Sequence, residues 1–280
     1  MEQVKRIAEC ESNSAEVLGG KGKSLVELQQ IGFNTPEGLI LSSGVFEEYL
    51  KANEILSQVK QLSEDLNRDN FREKGERIRE LIVQEEIQNQ GEILSEIETL
   101  DPPYAVRSSS VSEDSDTSSF AGMHHTGLEV ADSEVLEEVK KCWASLFSDR
   151  AIVYRLTKNL KPYEEMAVIV QQMVDADISG VLFTENPDGS DEIYIESTEG
   201  LGEKLVSGEI TPTKAKLERE SLETIKQETG LGSSELKELA EKSLEIEEQL
   251  GSPQDIEWCV KDGEIFFLQS RPITGDMNEN

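Results

Sequence analysis

Histidine, cysteine and positive charge are scarce in this 280-residue chain, and long apolar runs are missing. No apolar stretch approaches the ~20 residues that span a bilayer. The opening Met1-Glu2-Gln3-Val4-Lys5-Arg6 has no apolar core of leader length. Both absences lead to the expectation of a cytoplasmic protein that does not enter a membrane. The three cysteines, Cys10, Cys142 and Cys259, are odd in number and far apart. Their spacing matches no metal motif, so they read as small buried residues kept reduced. The two histidines, His124 and His125, are adjacent and in a strand would face opposite ways, so they do not make a shared zinc site. With so little histidine and cysteine, neither a Ser/His/Asp nor a Cys/His constellation can be assembled. Lys and Arg number 27 against 58 Asp and Glu, a net charge of −31. A surface this acidic repels phosphate backbones and anionic lipid, which excludes nucleic acid and membrane as partners. An anionic small ligand would need cations or a metal gathered locally against that field.

What is present is a charged, soluble-type composition, 36% hydrophobic and 30% charged, in a pattern of mixed α and β. Ser24 reads as the N-cap of a helix carrying Leu25, Val26, Leu28 and Ile31, which Gly32 ends. Thr35-Pro36-Glu37-Gly38 reads as a turn before the short strand Leu39-Ile40-Leu41. Residues 44–100 have helical periodicity, as in Ile78, Leu81 and Ile82, and predict two or three surface helices. After Asp101-Pro102-Pro103, Tyr104 to Arg107 reads as a strand entering a polar loop from Ser108 to Ser119. A helix follows Asp132-Ser133, and Met166–Val174, Val181–Phe183 and Ile193–Ile195 are strand candidates. Residues 219–250 read as acidic helix, and the chain closes on a hairpin around Asp262-Gly263.

Three segments carry chemistry. Gly19-Gly20-Lys21-Gly22-Lys23-Ser24 is glycine-rich, but Val17 stands where a phosphate-wrapping P-loop needs its first glycine, so that reading fails on spacing. A turn presenting Lys21 remains. Arg107 followed by Ser108-Ser109-Ser110 and continuing to Phe120-Ala121-Gly122 suits a polyphosphate, because guanidinium is a fixed fork of donors and small residues let N–H groups approach. In the last hairpin Glu257 and Gln269 offer hard oxygens fit for Mg²⁺, with Arg271 close by. Alternation sets Ile265, Phe267, Gln269 and Arg271 on one face of their strand, and Asp255, Glu257 and Cys259 on one face of the other. A regular two-residue turn pairs Glu257 with Leu268 and turns Gln269 away. A three-residue loop, Lys261-Asp262-Gly263, brings the polar groups together, so a metal site predicts an odd-length loop.

Four segments in order resemble one family: Gly19-Gly20-Lys21-Gly22; Arg107-Ser108-Ser109 through Ser119-Phe120-Ala121-Gly122; Ser179-Gly180-Val181-Leu182-Phe183-Thr184 with Gly200-Leu201-Gly202-Glu203; and Asp255-Ile256-Glu257-Trp258 through Gln269-Ser270-Arg271-Pro272. The set is similar to the N-terminal nucleotide-binding domain of phosphoenolpyruvate synthase, pyruvate phosphate dikinase and rifampin phosphotransferase, most of all the first. The resemblance implies an α+β ATP-grasp fold, two lobes with mixed sheets clamping ATP and Mg²⁺. Carried over by motif, Lys21, Arg107 and Arg271 contact the phosphates as catalytic residues. Gly122 and Thr126 belong to a loop over ATP, Gln171 lies toward adenine and ribose, and Glu257 and Gln269 hold Mg²⁺. Departures from the family pattern occur at Ser110-Val111-Ser112, Met123-His124-His125, Glu199 and Thr213.

On this resemblance residues 1–275 form one module, approximately an N-terminal lobe over 1–100 and the remaining segments over 101–275, with a tail at 276–280. The implied activity is an ATP-dependent phosphotransfer of the pyruvate, water dikinase kind. The phosphoryl group goes to a histidine on a separate domain or chain, and ultimately toward pyruvate. That phosphohistidine segment and a pyruvate-binding part have no counterpart before Asn280, so the ATP half-reaction alone is expected here. The alternative is a stand-alone nucleotide-binding or sensor protein without turnover.

Overall fold

A computed structural model describes residues 4–11, 14–88, 90–111, 114–115, 118–119, 123–202, 205, 208 and 210–273. The elements in chain order are β1 (Val4–Arg6), α1 (Ala15–Gln30), β2 (Gly38–Leu41), α2 (Ser43–Ala52), α3 (Leu56–Glu64), α4 (Phe71–Gln84) and α5 (Gln90–Ile97). There follow β3 (Tyr104–Ser110), the two-residue strands β4 (Asp114–Ser115) and β5 (Ser118–Ser119), β6 (Thr126–Val130), α6 (Val135–Ser145), α7 (Asp149–Lys158) and β7 (Met166–Gln172). The chain continues with β8 (Ile178–Phe183), β9 (Glu192–Glu199), β10 (Thr213–Glu218), β11 (Thr224–Glu228), α8 (Ser233–Leu250), β12 (Gln254–Lys261) and β13 (Glu264–Pro272). The architecture is α+β, with sheet orders β1-β2-β7-β3-β6 and β11-β10-β9-β8-β12-β13. Every recorded pairing in both sheets is antiparallel, where mixed sheets were expected.

The chain divides into two compact units, residues 1–26 with 37–173, and residues 27–36 with 174–280. The strands β3, β6 and β7 pair in the same sheet as β2, which keeps residues up to Met173 in the first unit.

In the first unit the strands are apolar on both sides, as a sheet covered on both faces requires. Leu39, Leu41, Val106, Val168 and Val170 pack with Phe46, Ile78, Ile82 and Trp143 of the helices. Phe46 and Tyr49 lie against the Trp143 ring at 5.3 Å and 4.9 Å. Residues 44–100 yield four helices, each with one apolar stripe toward this layer. On the opposite face Ile40, Ala167 and Ile169 pack with Leu18, Leu25 and Val26 of α1. That helix begins nine residues before Ser24, which is buried inside it, and is broken at Gly19 (φ 69°, ψ 175°).

In the second unit α8 lays Leu236, Leu239, Ala240 and Ile246 against Leu182, Ile195, Leu217, Ile256, Trp258 and Phe267. Only residues 233–250 of the expected acidic helix are helical; Thr224–Glu228 is instead the fully exposed edge strand β11. Phe33 meets Phe267 edge-on at 5.5 Å, and the Phe267 N–H donates to Asn34 O at 2.8 Å, which ties residues 27–36 to β13.

Candidate functional site

In the first unit Arg107, Thr126 and Gln171 fall on one face of one sheet. Arg107 on β3 stands opposite Thr126 on β6 and Ile169 on β7. Gln171 stands opposite Ala105 on β3 and Gly38 on β2. Side chains two apart share a face, so Thr126, Arg107 and Gln171 lie on the side that α1 partly covers through Ile40 and Ile169. Gln171 is 2% exposed, while Arg107 and Thr126 are half-buried. Lys21 projects from α1 two residues after the break at Gly19 and is also half-buried. Gly122 lies outside the described residues.

The serines after Arg107 behave differently from a loop. Ser108, Ser109 and Ser110 complete β3 and are buried. Ser109 Oγ accepts from the Gly22 N–H at 2.9 Å and donates to Leu18 O at 2.7 Å. Ser110 Oγ donates to Glu164 Oε1 at 3.1 Å, and the same oxygen accepts from Arg155 Nη2 at 2.5 Å. Arg155 is 4% exposed, so this departure from the family pattern serves an internal polar network. His125 pairs with Glu138 at 2.6 Å, and Lys141 meets the other oxygen of that carboxylate at 2.5 Å. Burial raises the Glu138 pKa, but the His125 and Lys141 contacts outweigh it and leave the carboxyl below its ordinary value.

In the second unit the hairpin loop has two residues, since Lys261 pairs with Glu264. Asp262 (φ 51°) and Gly263 (φ 81°) are both left-handed, the geometry of a two-residue hairpin turn whose twist matches its strands. The expectation of an odd-length loop is therefore corrected. The polar groups are nevertheless aligned, because the register slips by one between Glu257 and Trp258. Trp258 pairs with Phe267 and Glu257 with Gln269, so Leu268 is the extra residue of a bulge in β13. The slip also corrects the expected alternation along β13. Ile265 and Phe267 enter the core with Trp258 and Val260, whereas Gln269 and Arg271 share the opposite face with Glu257 and Asp255.

Asp255, opposite Arg271, was given no role in the sequence reading. It accepts from Arg271 Nε at 2.8 Å and Nη2 at 2.6 Å on one carboxylate oxygen. Burial pushes its carboxyl above the ordinary range; Arg271 opposes that shift and Glu257 adds to it. The signal for Asp255 was available, since it lies two residues from Glu257 on the same strand face. Among the described residues no three His, Cys, Asp or Glu side chains cluster as a metal cage. Glu257 and Gln269 side by side supply two hard oxygens, a donor set that suits a cation keeping most of its coordination for phosphate oxygens and water. The three cysteines are buried, and burial raises each thiol, so none is a thiolate nucleophile at neutral pH.

Comparison with known proteins matches the same stretch of chain. A family described as the pyruvate phosphate dikinase AMP/ATP-binding domain matches residues 15–232 and 224–280. A probable phosphoenolpyruvate synthase of Methanothermobacter thermautotrophicus is 35% identical over 97% of this chain and 46% of its own length. A rifampicin phosphotransferase of Bacillus cereus is 35% identical over 95% of this chain and 35% of its own length. The chain thus spans less than half the length of these relatives. No described helix is long and apolar enough to cross a membrane. With the family match covering nearly the whole sequence, the chain belongs to the pyruvate phosphate dikinase AMP/ATP-binding domain family.

Proposed function

We propose that this chain is an ATP-grasp module that binds Mg-ATP and donates a phosphoryl group from it to a histidine on another domain or chain, as the first half of a transfer that ends on pyruvate. The observation that carries the reading is the register slip at Leu268, which sets Glu257 beside Gln269 with Arg271 next on the same face. Those two oxygens would hold Mg²⁺, which when bound neutralises phosphate charge. Lys21 and Arg107 would contact phosphate oxygens, and Arg271, oriented by Asp255, would add a third cation. Gly122 would belong to the loop over ATP, Thr126 would flank it from the first position of β6, and Gln171 would face adenine and ribose. Phosphoryl transfer needs little covalent help from protein, so fixed cations and exclusion of water would supply most of the rate. We place the reaction in the cytoplasm, where buried thiols such as Cys10, Cys142 and Cys259 stay reduced.

The test is calorimetry with ATP, with and without Mg²⁺, followed by incubation of labelled Mg-ATP with a histidine-bearing domain of a relative. Metal-dependent binding and acid-labile label on the acceptor are expected. Glu257→Ala should weaken Mg-ATP binding at least about tenfold, or 1.4 kcal/mol, while sparing metal-free binding. Absence of ATP binding would refute the proposal. Binding without transfer would leave a nucleotide sensor.

A further inference from the structure

The turn that carries Lys21 lacks a component that helix starts normally have. The break at Gly19 makes Gly20 the first residue of the second helical segment, Lys21 the second and Gly22 the third. A helix start commonly satisfies the N–H of its third residue with a hydroxyl or carboxylate from the capping residue. Glycine at the cap has no side chain to offer. The Gly22 N–H donates instead to Ser109 Oγ, 87 residues away on β3, and that hydroxyl donates onward to Leu18 O on the other side of the break. Ser109 is fully buried, and its backbone fills the space a capping side chain would take, since a Cβ on Gly19 would lie 2.0 Å from Ser109 O. Ser109 is also two residues from Arg107 on the same strand face. One hydroxyl therefore joins the two sequence motifs that present cations.

The structure assigns Ser109 as a positioning residue: it caps the Lys21 turn from β3 and thereby fixes Lys21 relative to Arg107, so that the two act on phosphate as a unit. The assignment rests on the nucleotide-binding reading above. Ser109 touches no phosphate itself; its effect passes through Lys21. Ser109→Ala removes both hydrogen bonds and leaves the turn's break uncapped.

A double-mutant cycle on the full chain tests this, with ATP and adenosine affinities measured in Mg²⁺ for wild type, Ser109→Ala, Lys21→Ala and the pair. Ser109→Ala should weaken ATP about five- to tenfold, a typical cost for a lost buried hydrogen bond, and change adenosine affinity less than twofold. In the Lys21→Ala background the same substitution should cost less than twofold. Ser109→Cys, which is slightly larger and keeps a weaker donor and acceptor, should fold and fall between wild type and Ser109→Ala. It carries the same comparison should the alanine variant not fold. Unchanged ATP affinity, equal losses for ATP and adenosine, or a full-sized effect on top of Lys21→Ala would each overturn the assignment. A wild-type chain that binds no ATP would instead bring down the underlying reading, a result visible before any variant is made.

Discussion

Glu247 on α8 accepts from both terminal nitrogens of Arg219, which follows the end of β10, and Arg219 also donates to Thr184 O after β8. The two side chains are 15% and 25% exposed, so solvent screens this pair less than the many rim pairs of the chain. Burial raises the Glu247 pKa, but the Arg219 fork outweighs it and the carboxyl sits below its ordinary value. A carboxyl with a depressed folded pKa adds stability above the unfolded value, about 4.3, and loses it as pH falls through the folded value. Glu247→Gln keeps the shape and removes the charge, at a cost of about 2 kcal/mol at pH 7. Denaturant titrations of both proteins should show that gap shrinking as pH drops below about 4.3. A gap constant from pH 7 to pH 3 would mean that the charge contributes nothing there. Residues of this kind were hard to read from sequence, because pairing partners are brought together by the sheet. The role of Ser109 is hidden for the same reason, since it serves a turn 87 residues away.

The β12–β13 hairpin shows how an element can be legible while its register is not. Asp262-Gly263 between two alternating apolar runs marked the turn correctly, since both positions need left-handed backbone. The slip at Leu268 was hidden within Phe266-Phe267-Leu268, three apolar residues any of which could be the extra one. The clue lay in parity: Ile265 and Phe267 share it with Gln269 and Arg271, yet core and polar residues cannot occupy one face of this strand. A paired prediction follows from that geometry. Deleting Leu268 removes the extra residue of the bulge and still leaves Glu257 opposite Gln269 on the polar face, so Mg-dependent ATP affinity should stay within about tenfold of wild type. Inserting one alanine between Glu257 and Trp258 heals the slip but turns Glu257 and Gln269 toward the core, and should abolish metal-dependent binding. Calorimetry on the two variants decides it, and equal binding by both would show that the slip has no part in the site. Elsewhere the strand β11 escaped the pattern because all five of its residues are exposed, leaving no period-2 signal. The start of the second segment of α1, after the break at Gly19, escaped because its hydroxyl cap comes from β3.

For the whole molecule the dominant feature is charge, and it sets a prediction that no single residue does. The composition places 58 acidic against 27 basic side chains, a net charge of −31 in 280 residues. Most of the observed ion pairs are exposed or half-exposed, as with Lys51–Glu47, Arg77–Glu80 and Lys242–Glu238. Pairs of that kind contribute about 0–1 kcal/mol each, and salt weakens them. Opposing them is repulsion among the unpaired acids, which acts over the Debye length, about 30 Å at 0.01 M salt and about 3 Å at 1 M. At low salt that length reaches well across a domain of this size, so every excess carboxylate acts on many others. Screening should therefore remove more repulsion than attraction, because the acids outnumber the bases by more than two to one. Raising sodium or potassium chloride from 0.01 M to about 0.5 M should raise the melting temperature by several degrees, equivalent to ~1–2 kcal/mol for a chain of this length. Both salts should act alike, since the mechanism is screening and not a bound ion. A difference between them would point to a cation site, and a melting temperature that is flat or falls with salt would show that the surface ion pairs outweigh the repulsion.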